Sequence, residues 1–249
     1  MGALFDSLGF PGETGSGGGF FAPAQLTLSG SGASTVLLDF TVLPGFSAES
    51  GGGTFAATGT SSGSVINDTT TNAINANWGR WTGGSVTELD STPTPIPISA
   101  NNQFHYLLGP LTPPDVVAAK NGTFPLSIVG GTMPTNNLGE LGSFSIGGPT
   151  VNFTARTVSA TSFGFTFYSQ SWAFPGASMP IQFATGKGAF IDGVVTGGSL
   201  NSSVPANLGV TGIFMGPAGN HLGVGFNAVT TGSSAHASTA QLFKCAPSC

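Results

Sequence analysis

Charge is what this chain has least of. Five Lys or Arg and ten Asp or Glu stand among 249 residues, 6% of the total, against roughly 25% in an ordinary soluble domain. A formal charge of −5 leaves no basic surface to neutralise phosphates, which excludes nucleic acid as a partner. The composition is also unlike that of an intracellular metabolic enzyme. Long apolar runs are missing too: Gly, Pro, Ser or Thr interrupts each one within a few positions, so no segment reaches the ~20 residues of a membrane-spanning helix. The opening Met1 to Asp6 lacks the basic and apolar regions of an export leader, and Ser7 falls one place too late for the myristoylation pattern after Gly2.

Helical spacing is not sustained anywhere; what is present is alternation with period two, in a chain with 40 Gly and 20 Phe. Leu222, Val224, Phe226 and Ala228 fall on one face, with Gly223, Gly225 and Asn227 on the other, the pattern of a half-buried strand. Val36, Leu38, Phe40 and Val42 alternate in the same way, as do Val151, Phe153 and Ala155, and Phe163, Phe165 and Phe167. Further strands are expected at Thr54 to Ala57, Ile74 to Trp81, Phe104 to Leu108, Phe124 to Val129, Ile181 to Ala184 and Val210 to Met215. Turn residues separate them, including Gly83-Gly84, Gly130-Gly131 and Pro217-Ala218-Gly219-Asn220.

Many short strands at regular spacing predict an all-β fold, and few charges are available to guard strand edges, so closure into an antiparallel barrel of roughly eight strands is the expected solution. Residues 1–72, denser in Gly and Ser, read as an N-terminal β extension, 73–230 as the barrel, and 231–249 as a C-terminal tail. The inward positions carry Phe, Leu, Val and Ile, which predicts a filled, dry interior.

Both cysteines, Cys245 and Cys249, lie in that tail. Two ligands without neighbouring His do not make a structural zinc site. They read as a disulfide, within the chain or between chains, in an oxidising compartment, or as two free thiols.

From about residue 73 to 230 the motifs resemble the small β-barrel domain of transferrin-binding protein B and related bacterial surface or secreted proteins. Asn77-Trp78-Gly79-Arg80-Trp81-Thr82-Gly83-Gly84 is similar to the opening strand of barrels that follow FecR domains. Phe104 to Gly109 and Ser127 to Thr135 resemble the next two strands, and Val151 to Arg156 another. The most specific element is the segment Gly212 to Phe226, similar to the barrel-closing hairpin, with Gly212, Phe214, Gly216, Pro217, Leu222, Gly223 and Phe226 in the matching places. Gly216 and Gly219 suit positive φ in its turn, and Phe214 and Phe226 are expected to meet across the pair. The resemblance implies binding rather than catalysis.

No motif speaks against that. Gly59-Thr60-Ser61-Ser62-Gly63 satisfies the hydrolase elbow expression, but no helix is expected after it. Glu88 and Asp90 share a strand face and read as a solvated edge. No catalytic residue, metal site or cofactor is expected, and His105, His221 and His236 read as surface histidines. The expected function is that of a non-enzymatic protein, extracellular or on a bacterial surface, acting through protein–protein contact and self-assembling into a layer or filament, with Phe5, Phe10, Phe20 and Phe21 able to add a strand to a neighbour. The alternative is a secreted or surface receptor capturing haem or an iron-carrying protein, with a host or environmental protein as ligand.

Overall fold

The computed structural model of the protein describes residues 104–184, 188–232, 234–246 and 248–249, preceded by eight further strands between Gly2 and Ile98. The architecture is all-β. The first nine strands are β1 (Gly2–Phe5), β2 (Ala24–Thr27), β3 (Gly45–Ser50), β4 (Gly53–Thr58), β5 (Ser61–Asp68), β6 (Ile74–Trp81), β7 (Gly84–Glu88), β8 (Thr94–Ile98) and β9 (Phe104–Gly109). They form one antiparallel sheet in the order β5-β6-β9-β1-β2-β3-β4-β7-β8. A five-residue helix, α1 (Pro114–Ala118), starts at the second of two consecutive prolines and ends where the Ala119 N–H returns to Asp115 O.

The remaining strands are β10 (Thr123–Gly131), β11 (Thr135–Asn136), β12 (Ser143–Gly147), β13 (Thr150–Asn152), β14 (Thr157–Thr166), β15 (Ser171–Ala184), β16 (Gly188–Leu200), β17 (Val204–Met215), β18 (His221–Thr230) and β19 (His236–Cys245). Eight of them, β10 and β13 to β19, make an antiparallel barrel that closes through β10 and β19, with Leu126 opposite Cys245 and Ile128 opposite Phe243. Two short extra strands attach to it: β11 to β19, and β12 to β14.

Alternation decides which side chains fill the barrel. Phe163, Phe165 and Phe167 are buried, whereas Thr166 and Tyr168 between and after them are exposed. Rings from four strands meet at Phe226, whose centroid is 4.5 Å from Phe144, 6.0 Å from Phe163 and 6.4 Å from Phe243. Offset and edge contacts of this kind add to the burial of large apolar areas.

A second apolar cluster lies on the outside of the barrel. Ile74, Ala76 and Trp78 of β6 and Leu107 of β9 pack on Ile213, Met215, Ala240 and Leu242, so the N-terminal sheet covers the outer face of β17 and β19. Two glycines permit the approach. A Cβ at Gly223 would sit 2.6 Å from Leu107, and one at Gly216, where φ is +82°, would sit 2.2 Å from Ile74. The half-buried strand expected at 222–228 is therefore covered on both faces along most of its length.

Several expectations change. The strands at 74–81 and 104–109 belong to the N-terminal sheet rather than the barrel, which begins at Thr123; they pair with β5 and β1, partners that alternation alone does not specify. The supposed tail supplies β19, the strand that closes the barrel, so the Gly212 to Phe226 hairpin stands one strand before closure. In that hairpin Phe214 faces Leu222 and Phe226 faces Val210, because the turn from Gly216 to Asn220 sets a register that keeps the two rings apart. The strand at Val151 stops at Asn152, where the chain turns through Arg156 at φ 56°. Cys245 and Cys249 are joined to each other. The alternating segment Val36 to Val42 lies outside the described residues.

Candidate protein-contact surface

Among the described residues the barrel interior is filled, apart from one small cavity. A cavity of about 30 Å³ lies in the barrel, bordered by Leu126, Ile146, Met179, Val210, Phe226 and Phe243. That is room for a water or two by volume, but its lining provides almost no polar partner.

Two of the three histidines are not on the surface. His105 is fully buried where β9 meets the barrel, with Nδ1 2.7 Å from Thr132 Oγ1 and Nε2 2.7 Å from Thr135 Oγ1. Thr132 is itself held to β19, its Oγ1 accepting from Ala240 N at 3.0 Å and its carbonyl from Thr239 Oγ1 and Gln241 Nε2. Both ring nitrogens of His105 are thereby used in joining the sheet to the barrel. His221 is buried at the start of β18, and His236 begins β19. Among the described residues no three His, Cys, Asp or Glu side chains are grouped to hold a metal ion.

Of the residues expected to contact a neighbour, Phe5 lies in β1 opposite Tyr106, and β1 has strands of its own chain on both sides, β9 and β2. Phe10, Phe20 and Phe21 lie outside the described residues. Ser61 to Gly63 open strand β5, so no elbow into a helix forms there. Glu88 lies on β7, with Phe55 on one side and Thr94 on the other, and Asp90 is outside the described residues.

The constructed polar site is at one end of the barrel, where the 132–142 segment meets the turn between β14 and β15. Asn136 is buried, and its Oδ1 accepts the N–H groups of Leu138 at 3.0 Å and Glu140 at 2.9 Å. Its Nδ2 donates to Glu140 Oε2 at 2.7 Å and Gln170 Oε1 at 3.1 Å. Gln170 in turn donates from Nε2 to Asn137 Oδ1 at 3.0 Å and accepts from the Trp172 indole N–H at 3.2 Å. Ser169 Oγ donates to Glu140 Oε2 at 2.8 Å, and Asn137 N donates to His236 O at 3.0 Å. Desolvation pushes the Glu140 carboxyl up, but the hydrogen bonds from Ser169 and Asn136 outweigh it and hold its pKa below the ordinary 4.5.

This network fixes two loops that display large apolar side chains to solvent. Tyr168 is 99% exposed, Met133 57%, Leu138 52% and Leu141 45%. Single exposed apolar groups need no explanation, but four stand on these two mutually braced loops, in which Glu140 is the one acidic or basic residue. Sequence reading missed this surface. Its one signal was Tyr168, the polar-face residue ending an otherwise regular Phe alternation.

No protein-family profile matches the chain, and no curated protein does. Similar solved structures include a double mutant of transferrin binding protein B from Haemophilus parasuis Hp5, at 11% identity and a TM-score of 0.36, covering 81% of this chain and 36% of that one. Another is isotype 1 transferrin binding protein B from serogroup B Neisseria meningitidis, at 14% identity and a TM-score of 0.32, covering 81% of this chain and 34% of that one. The chain thus spans little more than a third of the length of these proteins.

Proposed function

We propose that this is a non-enzymatic binding protein of a bacterial surface or the extracellular medium, which captures an iron-carrying protein by contact with the outside of its barrel. The observation that carries the reading is the division of labour in the barrel: the interior is filled with aromatic and aliphatic side chains, while one braced end presents Tyr168, Met133, Leu138 and Leu141. An aromatic and aliphatic patch on a pre-ordered frame loses little conformational entropy on association. The nature of the ligand rests on the sequence resemblance in the second half of the chain, and the proteins bearing that name bind transferrin.

Haem itself is the weaker cargo, because His105 is committed on both nitrogens. Self-assembly is the second reading. Sparse charge favours it, but β1, which carries Phe5, is flanked on both sides within its own sheet.

The test uses immobilised iron-loaded transferrin as the probe. Saturable binding by the full chain, weakened at least about tenfold by Tyr168→Ala with Leu138→Ser, is expected, since central aromatic anchors dominate such interfaces. Absence of binding at about 50 μM, far weaker than specific protein pairs, overturns the iron-carrier reading. A mass in sedimentation that rises with concentration, and falls in the same variant, favours self-assembly.

A further inference from the structure

The barrel wall has a gap. On the edge away from β15, strand β14 pairs with β13 through Thr157 to Ser159 and with β12 through Ser162 to Thr166. On the edge away from β19, strand β10 pairs with β13 only through Thr123 to Pro125. Beyond that point β10 and β12 have no ladder between them. They are tied at both ends, by Leu126 N donating to Pro149 O at 2.8 Å and Gly142 N donating to Pro134 O at 2.9 Å. Between the ties, Ser127 to Gly131 and Ser143 to Gly147 have no strand partner on these facing edges among the described residues.

Three features specify what fits such a frame. Backbone N–H and C=O groups on both sides call for an extended segment that can complete two ladders at once. Neither side carries a charged residue, so a charge on the incoming segment would lose water without gaining a partner. The frame also borders the apolar cavity, which Leu126, Ile146 and Pro149 help to line, and Ile128 beside it is 43% exposed. Edge strands are ordinarily guarded by charge, proline or a bulge; β10 has Pro125 and a bulge at Ile128/Gly130, whereas β12 has none of these.

We propose that the gap between β10 and β12 is a docking slot for one extended, uncharged segment of a protein partner, held as an added strand with an apolar side chain turned toward the cavity. The proposal rests on the reading of the chain as a protein-binding barrel and names a second means of contact, distinct from the rim around Tyr168.

Hydrogen exchange on the full chain tests it. In the free protein, amides of 127–131 and 143–147 on the facing edges should exchange at least about tenfold faster than those of β17 and β18, which are paired on both sides. The probe is a synthetic peptide copying residues 157–166, an uncharged strand that already pairs with β12 in this fold. Saturable slowing of exchange on both edges is expected, with none from a scrambled peptide. Ser127→Lys with Ser145→Lys, at exposed positions, should weaken it about tenfold by placing charge on the frame.

Facing edges as protected as β18 in the free chain would overturn the proposal. So would an open gap that the peptide at about 1 mM leaves unchanged, since that bounds binding above the millimolar range. Protection that grows with chain concentration alone would assign the slot to a second copy and overturn the assignment to a partner. Loss of peptide binding together with intact, rim-dependent transferrin binding would remove the slot and leave the proposed function standing.

Discussion

Gly216 is a single atom group away from a clash. It takes φ +82° in the turn after β17, and Ile74 of the N-terminal sheet lies where a side chain would begin. Gly216→Ala therefore adds backbone strain to overpacking, and equilibrium unfolding should show a loss of about 1–3 kcal/mol. Asp192 is the opposite case, a group that the fold tolerates at some expense. Desolvation on β16 raises its pKa above 3.8, and hydrogen bonds from Thr211 Oγ1, at 3.0 Å, and from Gly193 N only partly offset this. A carboxyl raised in the fold binds its proton more tightly there than in the unfolded chain, so stability is greatest below 3.8. It falls as pH rises through the interval up to the folded value. Asp192→Asn keeps an acceptor for Thr211 and removes the ionisation, so thermal unfolding at neutral pH should move upward and the acid-side gain should disappear. A neutral-pH midpoint unchanged or lowered would refute this account of the group.

Strands differ in how plainly their sequences announce them. The Phe163, Phe165 and Phe167 series shows its structure because one face is wet and the other is dry. β19 does not, since seven consecutive residues from Ala237 to Phe243 are buried, with the barrel interior on one side and the N-terminal sheet on the other. A strand covered on both faces loses its alternation, and one written in Ala, Ser and Thr resembles a tail. The pairing of β9 with β1 and β6 was likewise hidden, because alternation gives each strand its faces but not its neighbours. The rim was least legible of all: Asn136 and Gln170 are ordinary loop residues until the fold brings them within 3.1 Å of each other.

The importance of β19 can be measured against the disulfide that follows it. Phe243 is buried against Phe226, so Phe243→Ala should cost about 3–5 kcal/mol by transfer and cavity formation. The Cys245–Cys249 bridge closes a loop of only four residues' separation, and chain-entropy reasoning gives it about 2 kcal/mol. Urea unfolding of Phe243→Ala and of Cys245→Ser with Cys249→Ser should rank the two in that order. The reverse ranking would mean that the covalent staple, rather than the packed strand, holds the barrel shut.

For the molecule as a whole, the filled barrel and the covering sheet together decide which cargo is compatible with the fold. Inside the barrel, among the described residues, a haem would need an apolar cleft many times larger than the cavity of about 30 Å³ and an imidazole free to bind iron. His105 has neither advantage, since releasing it would break its contacts to Thr132 and Thr135 and open the junction between the sheet and the barrel. Burial also separates His221 from solvent, while His236 is only partly covered at the start of β19. Titration of the purified chain with haemin should therefore leave the Soret band at the position of free haemin, and His105→Ala should not alter the spectrum. A shifted, saturable Soret band that disappears in His105→Ala would mean that the junction opens in solution. The fold would then present its cargo site between sheet and barrel rather than on the outer rim.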